Sequence, residues 1–101
     1  MCLKILILTN SFMDINDARE IIRTLNDHFD SHDFIVELYM HMPAVYGSLL
    51  VEHNNINTAH AEISNFLRYN SKDLDIIELD KVMSPNIFGK PTECAAWAKL
   101  S

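Results

Sequence analysis

A chain of 101 residues has room for one domain built around one two-layer core. With 49% hydrophobic and 22% charged residues it can bury that core, which excludes disorder as its main state. The formal charge of −6, from 8 basic and 14 acidic side chains, disfavours direct nucleic-acid binding, because Lys4, Arg19, Arg23, Arg68, Lys72, Lys81, Lys90 and Lys99 are scattered rather than concentrated.

The chain opens on "MCLKILIL". This stretch lacks the charged leader and longer apolar segment of a secretory signal, and no run approaches the ~20 apolar residues that span a bilayer. It reads as a first strand, Leu3 to Thr9, apolar enough to be covered on both faces. The expected setting is the cytoplasm, with no membrane partner. There Cys2 and Cys94, far apart and without metal-ligand spacing, are free thiols. After the polar link "NSFMDIN", Asp17 and Glu20 stand at capping-box spacing, and Ala18, Ile21, Ile22, Leu25 and Phe29 recur at helical intervals. A helix over 17–29 is expected, ended by "DSHD".

"FIVELYMHM" alternates, with Phe34, Val36, Leu38, Met40 and Met42 on one side and Ile35, Glu37, Tyr39 and His41 on the other. That period predicts a half-buried strand stopped by Pro43. "PAVYG" reads as a reversal, and residues 48–53, "SLLVEH", as either a returning strand or a piece of helix. "NNINT" is a break, with Thr58 as N-cap of a second amphipathic helix that carries Ala59, Ile63, Phe66 and Leu67 and ends near Asn70. "LDIIELDKV" is a third strand. In the remaining tail Thr92 is placed to cap a short helix bearing Cys94 and Trp97.

A strand at 48–53 gives the order β-α-β-β-α-β, an α+β two-layer sandwich of ferredoxin-like plan plus a C-terminal short helix. A helix there gives instead an α/β, flavodoxin-like layer with a three-strand parallel sheet. The reversal at Pro43 to Gly47 favours the first. Residues 1–83 then make a single domain, and 84–101 a tail that packs on it or on a partner. The expected core is Leu6, Ile7, Leu8, Ile22, Leu25, Phe29, Val36, Leu38, Ile63, Phe66, Leu67, Ile76 and Ile77. Helices on one side leave a sheet face open, made partly apolar by Leu6, Leu8, Ile35 and Tyr39, so a homodimer or cover by the tail is expected.

Chemistry is harder to place. A phosphate cradle at the first strand-helix turn needs glycine, and "TNSFMDIND" has none; Asn10, Ser11 and Asp14 would at most rim a neutral or cationic ligand. His28 and His32, or His53 and His60, lack the specificity of a metal motif, so no metal and no cofactor is assigned. Cys94, in the first turn of the expected tail helix, is a reactive-thiol candidate, opposed by neighbouring Glu93 and with no histidine beside it in sequence. No catalytic residue is assigned. Alternation puts Glu78 and Asp80 on one face, an acidic patch suited to a basic protein partner. Phe88 and Trp97 supply apolar contact, with Trp97 either an interface anchor or a cover for the domain's own core. The favoured function is a small acidic protein-binding module of the inhibitor, immunity or regulatory kind. The alternative is a small ligand-binding domain or enzyme with a polar site at the first turn.

Overall fold

Paired aspartates three residues apart set the first half of the chain. The structure, a computed structural model, describes residues 13–100. Asp14 accepts the Asp17 N–H at 2.8 Å, and the Asp17 carboxylate accepts the Asp14 N–H at 3.4 Å. This reciprocal cap starts α1, Ile15–Arg23, which buries Ala18, Ile21 and Ile22. The Thr24 hydroxyl then donates to the Ile21 carbonyl at 2.7 Å and closes the last turn. The expected helix over 17–29 thus starts earlier and stops at Arg23. Phe29 belongs to a short strand, β1, His28–Asp30.

The same device recurs at Asp30 and Asp33, and it starts a helix where "DSHD" was expected to end one. α2 spans Ser31–His41 and buries Phe34, Ile35 and Leu38. The strand expected over this segment is overturned because apolar residues lie on both of its alternating sides, so a helical face is available as well. Pro43, tolerated in a first turn where its missing N–H is not needed, opens α3, Pro43–His53. The segment 48–53 is therefore helical. α4, Ile56–Tyr69, is capped by the Asn55 side chain, which accepts the Thr58 N–H at 3.1 Å; Thr58 lies inside the helix. α4 ends at Asn70, and α5, Ser71–Leu74, follows.

Asp75, in the left-handed region at φ 56°, turns the chain into β2, Ile76–Pro85. At the next reversal Gly89 takes φ 79°, which favours glycine, and the Asn86 side chain accepts the N–H groups of Phe88 and Lys90. β3, Pro91–Lys99, returns antiparallel. The expected tail helix is a strand because pairing on both sides outweighs the helix preference of its alanines. Among the described residues the sheet order is β1-β3-β2, all antiparallel. Residues 84–99 thus lie within the sheet or its last turn.

The α+β class stands. The ferredoxin-like order does not appear among the described residues, and neither does a parallel sheet. The expected strand at Leu3 to Thr9, with Leu6, Ile7 and Leu8, lies outside the described residues, as do Cys2, Asn10, Ser11 and Phe12.

Helices cover the sheet face that carries Phe29, Ala95 and Trp97. Register pairs Phe29 with Trp97, and Trp97, Phe34, Leu38, Leu49, Ile63 and Leu67 are the centre of one core. Of the other expected core residues, Ile22 and Ile76 are buried, Leu25 and Phe66 pack partly buried at the edge, Val36 is half-buried, and Ile77 is exposed. The opposite sheet face carries Ile77, Leu79, Ala96 and Ala98. Ile35, expected on an open face, is buried in α2, whereas Tyr39 is exposed on that helix. No single described helix is long and apolar enough to cross a membrane; α2 and α3 would suffice only together, and they bend by 114°.

Candidate functional site

Two surfaces carry chemistry-bearing residues. The first is a cavity of about 320 Å³ where the start of α2, α4 and the middle of the β2–β3 hairpin meet, lined among others by His32, His60, Ser64, Arg68 and Cys94. The Asp30 cap fixes the start of α2, so Ser31 and His32 are its first two residues, and both are buried. Ser31 Oγ accepts the Trp97 indole N–H at 3.1 Å and shares a 2.7 Å hydrogen bond with Ser64 Oγ. The His32 ring lies against a cross-strand pair. Its Nδ1 is 2.8 Å from Ser84 Oγ and its Nε2 3.3 Å from Thr92 Oγ1, and Ser84 and Thr92 face each other in the β2–β3 register. Ser84 Oγ also lies 3.7 Å from Cys94 Sγ.

On the α4 side, His60 Nε2 is 2.8 Å from the Tyr46 hydroxyl. Burial first, and the nearby charge of His32 second, hold the His60 ring below the usual histidine range. Burial, with Tyr39 beside it, pushes the Tyr46 phenol up. The neutral ring can therefore accept the Tyr46 O–H. This sets a pH dependence whose sign follows from linkage. As pH falls through about 6.5 the unfolded chain takes up a proton that folded His60 still refuses. The associated stability is complete above that pH and declines below it, down to the folded value. Thermal melts should show Tm falling as pH drops below about 6.5, with the slope reduced in His60→Gln.

The second surface is the sheet face away from the helices. Ile77, Leu79 and Val82 are 49%, 41% and 38% exposed along β2, and a shallow hollow between β2 and β3 is lined by Glu78, Leu79, Asp80, Val82 and Ala96. Asp80 and Lys81 form a bulge between the Leu79–Ala96 and Val82–Cys94 pairs.

The residues singled out in the sequence fall differently on these surfaces. Glu78 and Asp80 both line the hollow between β2 and β3, and Glu78 is ion-paired there. Its two carboxylate oxygens each accept from Arg68 at 2.9 Å, and that hydrogen bonding holds the carboxyl below its usual range. Asp80 is exposed in the bulge. Phe88 is 69% exposed at the hairpin turn. Trp97 is fully buried in the core, the second of the two placements the sequence leaves open for it. Asp14 caps α1; Asn10 and Ser11, its companions in the expected ligand rim, lie outside the described residues.

Cys94 is half-buried on β3, so no helix terminus of its own surrounds it. Its setting is Ser84 and His32, which sequence reasoning missed because His32 and Ser84 are 52 residues apart. The only local hint was the cross-strand potential of the β2–β3 hairpin, concealed by the expected tail helix. In comparison with known proteins the chain matches no family model, no curated protein and no solved structure.

Proposed function

We propose that the protein works by contact with another protein, through the β2–β3 face that bears Ile77, Leu79 and Val82. The supporting observation is that these three apolar side chains stand exposed on one rigid sheet, beside small Ala96 and Ala98, with Phe88 exposed at the hairpin turn. Specific interfaces combine an apolar centre with a polar rim. Here the centre is flat and aliphatic, and exposed Asp80 lies at its border.

The partner in this reading has a basic rim, since the chain carries −6 overall. A second copy would bring the same charge and is disfavoured for that reason. The Asp80–Lys81 bulge also argues for contact by the face rather than by strand addition at the β2 edge, because bulges and charges blunt an edge. The reading keeps the protein among small acidic modules of the inhibitor, immunity or regulatory kind. Its setting is the cytoplasm, where Cys94 stays a thiol.

The test compares wild type with Leu79→Asp, whose Tm should stay close to wild type because Leu79 is 41% exposed. A stoichiometric protein bound by wild type should be bound about 30-fold more weakly by Leu79→Asp, and Asp80→Lys should slow association at low salt. Equal binding by Leu79→Asp would remove this face from the contact. A dimer seen by light scattering and broken by Leu79→Asp would make the occupant a second copy.

A further inference from the structure

We propose that Asp30, His32 and Cys94 form a binding site for a divalent metal ion of the zinc class. The inference does not rest on the protein-contact reading, although Asp30 pairs with Ala96 and Cys94 with Val82, which places the site beside that face. One carboxylate oxygen, one imidazole nitrogen and the thiol sulfur all lie within 4.8 Å of one another. They come from three rigid positions: the end of β1, the second residue of α2 and the middle of β3. Register holds the first and last together, because Asp30 pairs with Ala96, two residues along β3 from Cys94. In a tetrahedral zinc site, metal–ligand bonds of about 2.0 to 2.3 Å put ligand atoms about 3.3 to 3.7 Å apart. The three donors need to draw in by roughly 1 Å to reach that geometry, which side-chain rotation supplies with the backbone in place.

The surrounding hydrogen bonds have the right polarity for a metal. Ser84 Oγ lies between His32 Nδ1, at 2.8 Å, and Cys94 Sγ, at 3.7 Å. When Nδ1–H donates to Ser84, the Ser84 hydroxyl proton points to the sulfur. The Nε2 lone pair is then left for a metal, held there from behind as metal-binding imidazoles usually are. Only the longer 3.3 Å contact of Nε2 with Thr92 Oγ1 has to yield. Asp30 keeps its structural duty, since Oδ1 accepts the Asp33 N–H at 2.8 Å and Oδ2 is left for the ion.

Thiolate and carboxylate together balance the two charges of the cation, and the partial positive charge at the start of α2, about half an elementary charge, is small beside them. On binding, the Cys94 thiol loses its proton to solvent, and no electron is transferred. A sulfur–nitrogen donor set selects zinc-class ions over magnesium or calcium, which require oxygen ligands. Asp30 and Cys94 are half-buried, so the fourth position is open to water or to an outside donor.

The experiment titrates the reduced full chain with cobalt(II) alone and then with zinc(II). Expected is one cobalt per chain with a thiolate-to-cobalt charge-transfer band that zinc abolishes. Cys94→Ser should lose the band, and Cys2→Ser should keep it. Asp30→Asn preserves the helix cap, because asparagine caps as well as aspartate. It should therefore melt like wild type yet bind cobalt at least about 10-fold more weakly. Ser84→Ala should weaken binding by about 10- to 100-fold. Absence of a thiolate band, a band that survives Cys94→Ser, or binding untouched by Asp30→Asn overturns the site.

Discussion

Replacing Trp97 by alanine should cost about 3 to 5 kcal/mol of folding free energy. The side chain is fully buried, faces Phe29 across the β1–β3 ladder and donates its indole N–H to Ser31. Alanine removes the ring, leaves a cavity between sheet and helices, and takes one partner from a buried hydroxyl. A domain of this size has about 5 to 15 kcal/mol in total, so the variant should sit near the edge of folding. Urea unfolding would show the loss as a lower midpoint with the slope preserved. Trp97→Phe, which keeps an aromatic in the slot, should cost clearly less. In wild type the tryptophan emission should be blue and shielded from quenchers. A Trp97→Ala variant within about 1 kcal/mol of wild type would mean that the ring does not hold the layers together.

A matched pair in α2 should give the second large effect. Leu38→Ala should cost about 2 to 5 kcal/mol, and Met40→Ala should stay within about 0.5 kcal/mol. Leu38 is fully buried, and Met40 is 66% exposed. A strand would put the two side chains on the same face and make both costly. The helix points them apart, with Leu38 one turn from Phe34 and on the core side. Similar losses for the two variants in urea unfolding would restore the strand.

The contrast between these residues shows why parts of the fold could be read and parts could not. α4 is legible because Ala59, Ile63 and Leu67 repeat every four residues with mostly polar neighbours between them, and all three are buried. β2 was legible from its apolar, β-branched start. The sequence shows α1 but not its frame, because Asp17 and Glu20 have the same spacing as the pair that caps it, Asp14 and Asp17. Nothing local distinguishes the two frames.

α2 was lost because Phe34, Ile35, Val36 and Leu38 satisfy a period of 2 as readily as one of 3.6. β3 was lost because "ECAAWAK" has helix-forming composition, and its strand state depends on partners far away in sequence. The site failed for the same reason. The sequence marks Cys94 as a thiol, but its relation to His32 and Asp30 exists only after β3 has paired with β1.

The place of β3 between β1 and β2 also orders events during synthesis. The middle strand of the sheet is the last described element to leave the ribosome, while its two neighbours and all five described helices are made before it. At roughly 5 to 20 residues per second, the helices wait several seconds for the strand that brings Trp97 to their apolar sides. In that interval Phe34 and Ile63 have helix-to-helix contacts but no complete sheet to lie against, and Phe29 on β1 lacks its partner strand. A nascent chain halted before Trp97 should therefore be a good substrate for chaperones that bind apolar segments. Refolding from denaturant should likewise be limited by the long-range closure of β1 onto β3 rather than by the helices, which form locally and fast.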